Sequence, residues 1–119
     1  MKPFFITILV ITIFSTKNFA QTSPIVADAE KIIVDNSKMK VTEFTSIPGG
    51  NVCGKGIHSH GAHFTVILTD AEVEITLPDG KKLVQKVPAG TSFWNEAETH
   101  AIKNVGKTPA KIQIIESKS

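Results

Sequence analysis

The sequence predicts an all-β fold, a closed or two-sheet antiparallel domain, and three observations carry that expectation. The chain has 119 residues, which suits one domain and not two. Beyond residue 30 it breaks into about eight or nine short β-branched runs set off by Gly, Pro, Asn and Asp. No stretch carries the 3.6-residue apolar period of an amphipathic helix.

The elements follow in chain order. Residues 31–35 (KIIVD) and 39–47 (MKVTEFTSI) are β-branched runs, and the second alternates only approximately through Val41, Phe44 and Ile47. Pro48, Gly49, Gly50 and Asn51 then break the chain, and Gly54 and Gly56 loosen the approach to His58. Residues 63–69 (HFTVILT) are continuously apolar, as in a strand buried on both faces. Residues 72–77 alternate, with Val73, Ile75 and Leu77 on one face and Glu72, Glu74 and Thr76 on the other. Pro78-Asp79-Gly80 is a strong turn, and 83–87 returns as its hairpin partner. Pro88-Ala89-Gly90 makes the next corner before short strands over 92–95 and 99–104. A turn at 104–107 leads to the last run, 110–116. Phe64, Phe93 and Trp94 read as core and pocket wall, and Glu72, Glu74, Lys81, Lys82 and Lys86 as a solvated hairpin face.

Residues 1–20 have the layout of a secretory signal: Lys2, an apolar run from Phe4 to Phe14, and a small residue, Ala20, before polar Gln21. The run is short for a membrane span. The expectation is therefore export to the periplasm or exterior, no membrane attachment after cleavage, a loose lead-in over 21–29 and a folded domain over 30–119. Without Lys2 and Lys17, the remaining chain carries 11 basic and 11 acidic residues and no arginine. A neutral, arginine-free domain lacks the basic footprint that nucleic acid requires. Cys53 is the only cysteine, so no intramolecular disulfide can form. It reads first as a small buried hydrophobe, with a reactive or metal-adjacent thiol as the alternative.

Of the four histidines, His58, His60 and His63 fall within six residues, and His100 lies far along the chain. On a strand, positions i and i+2 share a face, so His58 and His60 aim their imidazoles together. Neutral imidazoles side by side can share a divalent metal. Gly61-Ala62 permits a bend that brings His63 round; on an unbroken strand it faces away. His100 arrives from a distant strand, and Asn104 follows it on the same face.

The stretches CGKGIHSHGAHFTVILTDAEVEITLPDG and VPAGTSFWNEAETHAIKNVG resemble the two motifs of the cupin superfamily. The first motif is built on H-x-H followed by a carboxylate and a glycine, and the second ends in H-x-x-x-N. Within the superfamily the chain is similar to small single-domain cupins. The resemblance implies a single-domain antiparallel jelly-roll β-barrel with a metal inside its mouth. It carries ligand roles to His58, His60 and His100, and the motif asparagine to Asn104. The acidic ligand position holds Phe64, and the proline position of the second motif holds Glu96. Three imidazoles without the carboxylate are the set that some cupin oxygenases place on iron. His63 is the further candidate ligand, and Glu98 the alternative source of a carboxylate. The expected cofactor is a divalent transition metal: iron, manganese, zinc, nickel or copper.

Two function classes follow, with a third beside them. One is a metal-dependent enzyme acting on a small organic molecule, with proton transfer left to His63, Glu96, Glu98 or a lysine because Tyr and Arg are absent. Another is a non-enzymatic barrel that binds or senses a metal or small ligand. The third is a degenerate cupin without metal. The expected partners are a small-molecule ligand or substrate and, by analogy, a second copy of the chain, paired through Ile112, Ile114 and Ile115.

Overall fold

The computed structural model describes residues 27–118. The segment read as an export signal, 1–20, and most of that read as the lead-in lie outside the described residues. The strands are β1 (Ala29–Asp35), β2 (Met39–Ser46), β3 (His58–His60), β4 (His63–Ile67), β5 (Ala71–Thr76), β6 (Lys82–Val87), β7 (Ser92–Asn95), β8 (Glu98–Asn104) and β9 (Ala110–Ser117). β1 starts inside the segment read as lead-in, because Ala29 is already in register with Thr45 of β2.

The strands form two antiparallel sheets, one of five strands in the order β1-β2-β9-β4-β7 and one of four in the order β3-β8-β5-β6. This is a jelly-roll β-barrel without a helix among the described residues. Local chemistry sets the hairpins. Asn36 Oδ1 accepts from the backbone N–H of Lys38 and Met39 at 2.8 and 2.9 Å and turns β1 into β2. Asp79 Oδ1 accepts from Lys81 N–H at 2.9 Å, and Gly80 takes the positive φ of 88° that the β5–β6 turn requires.

The core lies between the sheets and is built from Val52, Cys53, Ile67, Val73, Ile112 and Ile114, with Phe44, Ile75, Val87 and Ile102 packed against it. β5 buries the predicted face, and its other face carries the solvated pairs, with Lys82 Nζ 3.5 Å from Glu74. Three expectations are corrected. β4 is not buried on both faces; His63, Thr65 and Ile67 point inward and Phe64 and Val66 are half-buried, since a strand in a two-layer barrel has an inner and an outer side. Trp94 is 55% exposed rather than core, because β7 lies at the edge of its sheet, while Phe93, though also partly exposed, lines the cavity as pocket wall. Ile112, Ile114 and Ile115 do not lie on an edge strand: β9 pairs with β2 on one side and β4 on the other, and Ile112 and Ile114 are core.

Candidate metal centre

The site is set by the pairing of β3 with β8. His58 stands directly opposite His100, Ser59 opposite Thr99, and His60 opposite Glu98. Residues opposite one another share a face, as do residues two apart, so His58, His60, His100 and Glu98 all project from one side of this ladder. Ser59 and Thr99 project from the other side, where their hydroxyls lie 2.7 Å apart. A one-residue slip would place the hydroxyls inside and the imidazoles in water.

Cys53 joins the imidazoles from the loop before β3. Two contacts hold that loop against β8: Val52 N–H donates to the Ile102 carbonyl at 3.0 Å, and Asn51 bridges to Lys103. The buried thiol then lies 3.2 Å from His58 Nε2 and 3.6 Å from His100 Nε2. One donor atom from each of Cys53, His58, His60 and His100 lies within 4.8 Å of the others. The imidazoles meet edge to face, with centroids of 4.6 Å for His58–His60 and 5.0 Å for His58–His100.

The three rings are held differently. His58 Nδ1 donates to the Gly56 carbonyl at 2.9 Å, which leaves Nε2 as its free donor atom. Glu98 Oε2 lies 3.6 Å from His100 Nδ1, beyond hydrogen-bond length but on the side away from the thiol contact at Nε2. His60 Nε2 is buried with no hydrogen-bond partner among the described residues. A buried imidazole nitrogen without a partner is costly unless something accepts its lone pair or proton.

Burial, and then the neighbouring His58 and His63, push the His100 imidazole down to about 4. Burial also lowers that of His60, with His58 the next cause. Both rings are thus held in the neutral form that ligates metal. Burial, with the negative charge of Glu98 second, pushes the Cys53 thiol up to about 12, so a metal ion must displace its proton to bind it. A soft thiolate with three imidazoles fits a tetrahedral transition-metal site, whose bonds of about 2.0–2.3 Å need only a small contraction of these donors.

His63 stands apart from that group. Gly61-Ala62 carries the chain from one sheet to the other, so His63 opens β4 and reaches inward from the facing sheet. Its ring centroid is 5.2 Å from that of His60. Its Nδ1 donates to the Gly61 carbonyl at 2.7 Å, and its Nε2 lies 3.7 Å from Glu98. Glu98 therefore projects between His63 and His100, with its side chain still half-buried and in part open to water. Asn104 is a structural residue: its Nδ2 donates to the carbonyls of Ser46 and Thr108, and its Oδ1 accepts from Gly106 N–H. The sequence reading placed Cys53 first in the core, and its position five residues before His58 was the available pointer to the cluster.

Beside the cluster, a cavity of about 320 Å³ runs through the barrel interior. Cys53, Glu98 and His100 form part of its wall, with aliphatic side chains such as Ile67, Val73 and Ile112 elsewhere.

No family model matches the sequence, and no curated protein matches it. Solved structures do. A cupin domain from Bordetella pertussis Tohama I has a TM-score of 0.69 and 26% identity, over 78% of this chain and 95% of that one. The polyketide cyclase RemF from Streptomyces resistomycificus has a TM-score of 0.61 and 17% identity, over 79% of this chain and 67% of that one. A cupin superfamily protein from Desulfitobacterium hafniense DCB-2 has a TM-score of 0.59 and 18% identity, over 79% of this chain and 80% of that one. The strand order, the paired motif histidines and these likenesses agree, and the chain belongs to the cupin superfamily as one of its small-domain proteins.

Proposed function

We propose that this chain is an exported cupin that holds a divalent transition metal on His58, His60, His100 and Cys53 and acts on a small organic molecule in the barrel. The observation that carries this reading is the convergence of four donor atoms within 4.8 Å, in a cluster whose His60 ring has a buried Nε2 without a hydrogen-bond partner among the described residues. Export rests on the apolar run from Phe4 to Phe14 behind Lys2. The thiol favours zinc, copper, nickel or iron over manganese among the expected metals.

Bound there, such a metal supplies Lewis acidity or an activated ligand beside the cavity. The chain's own residues do the rest. The Gly56 carbonyl fixes the tautomer of His58, the aliphatic wall excludes water, and Glu98 stands at the cavity wall within reach of His63 and His100. Glu98 is the group placed to take or return a proton, with His63 behind it. The polyketide cyclase with this fold is an enzyme, and at 17% identity it lends the fold and not its substrate.

A second reading has its own observation. Four protein donors fill a tetrahedral shell, and a filled shell is the mark of a structural or sensing site rather than a catalytic one. Whether Cys53 is bound in the resting state divides the two readings.

The first test is elemental analysis of protein purified after native export, beside a His58→Ala/His100→Ala variant. The expected result is about one equivalent of a single metal in the native protein and none in the variant. No metal in either, even after reconstitution, overturns the proposal. Cobalt(II) substitution then reads the shell. With Cys53 bound, the protein shows a sulfur-to-cobalt charge-transfer band and the intense visible bands of four-coordination, and Cys53→Ser loses the first. An unchanged spectrum in Cys53→Ser removes the thiol from the ligand set and leaves an open three-imidazole site.

A further inference from the structure

The cavity wall says what kind of molecule the barrel takes. Glu98 is the only lining residue with a charged side chain, and no lysine reaches the cavity among the described residues. The chain has no arginine to act as a carboxylate or phosphate clamp. Elsewhere the wall is aliphatic, from Ile67 and Ile112 on one sheet to Val73, Ile75 and Val87 on the other. Its polar groups are few, and Thr65 already donates to Asn95 Oδ1 at 2.7 Å.

The space also goes unfilled by the protein itself. The inward side chains are short and β-branched, Phe93 is the one aromatic in the wall, and Trp94 points to solvent. The space, about 320 Å³, is a pocket between the sheets that opens past Leu83 and Phe93, of the size and apolar lining that small-molecule sites have.

We infer that this interior binds an uncharged, largely apolar small molecule of about two fused or linked rings, its one polar end turned toward Cys53, His100 and Glu98. The inference deepens the proposed function by naming its substrate class, and it rests on that reading for the chemistry at the polar end. Charge counting gives the same answer for the metal-loaded protein. A divalent ion bound by the Cys53 thiolate beside the Glu98 carboxylate leaves no net positive charge to draw an anion in. An anionic ligand would instead lose its hydration in an aliphatic space next to a carboxylate.

The test compares two fluorescent probes that differ by one charged group, N-phenyl-1-naphthylamine and 8-anilinonaphthalene-1-sulfonate. Both are titrated into the full exported protein, metal-loaded and chelator-treated. The expected result is saturable binding of the neutral amine, with the sulfonate about 10-fold weaker or worse. Glu98→Gln narrows that ratio. Ala71→Phe, which pushes a ring into the cavity, abolishes amine binding while leaving metal content unchanged. Equal or tighter binding of the sulfonate overturns the inference, and so does absence of amine binding. Undiminished amine binding by a folded Ala71→Phe variant also overturns it, by placing the probe elsewhere. If Ala71→Phe does not fold, the two probes on the native protein decide alone. Amine binding by a protein that takes up no metal even after reconstitution overturns the proposed function and leaves this inference standing.

Discussion

Gly54 shows how closely single atoms constrain this site. Its φ of +152° is one that L side chains rarely adopt, and a Cβ built on it would lie 3.0 Å from Cγ and 3.1 Å from Nδ1 of the His58 ring. The ring cannot give way freely, because Nδ1 is tied to the Gly56 carbonyl and Nε2 lies against the Cys53 thiol. Gly54→Ala therefore turns His58 out of its place without replacing any ligand, and it should weaken metal binding about 10-fold while the barrel still folds. Competitive metal titration with a chromophoric chelator measures this, and native affinity in the variant would show that the ring adapts. None of this was legible in the sequence, which showed the glycines only as looseness before His58. The i, i+2 spacing of His58 and His60 was legible because strand geometry converts it directly into a shared face. The thiol was legible only as an alternative to a core residue, because loop residues have no period that says where their side chains point.

At the level of elements, the strands themselves were largely readable from alternation and turn residues, and their neighbours were not. β5 alternates cleanly and buries the expected side, since one face meets the core and the other meets water. The β-branched run of β9 looks the same at an edge as in the middle of a sheet, and only the pairing with β2 and β4 reveals which it is. His63 was ambiguous for a related reason: strand parity holds only within one strand, and the chain changes sheets at Gly61-Ala62. Asn104 is where the elements are tied together. It is 1% exposed and bonds the end of β2 at Ser46 and the β8–β9 turn at Gly106 and Thr108. Removing the amide takes a partner from the carbonyl of buried Ser46 and from the Thr108 carbonyl and Gly106 N–H of the turn. Asn104→Ala should cost about 3 kcal/mol, a fall in Tm of about 12 °C or more for a domain of this size. Thermal unfolding followed by circular dichroism reads the change, and a loss below about 1 kcal/mol would show that water replaces the amide.

On the scale of the whole molecule, the metal site and the fold support each other. β3 has three residues and one neighbour, β8, so its ladder is among the weakest in the barrel. The cluster draws on β3, on β8 and on the loop that carries Cys53 into the core, three pieces that no disulfide joins. An ion bound there crosslinks them in the native state only, since the four donors are scattered over 48 positions of the unfolded chain, from Cys53 to His100. At free metal about 100-fold above Kd the linkage contributes about 2.7 kcal/mol, and the loaded protein should melt about 10 °C or more above the chelated one. The same comparison in His58→Ala should show no shift. Hydrogen exchange locates the effect: protection gained on loading should concentrate in residues 51–60 and 98–102, while the β1–β2 hairpin on the far sheet exchanges as before. Equal melting with and without metal would mean that the ion adds nothing to the stability of the fold, and the four donors would then have to be accounted for by chemistry alone.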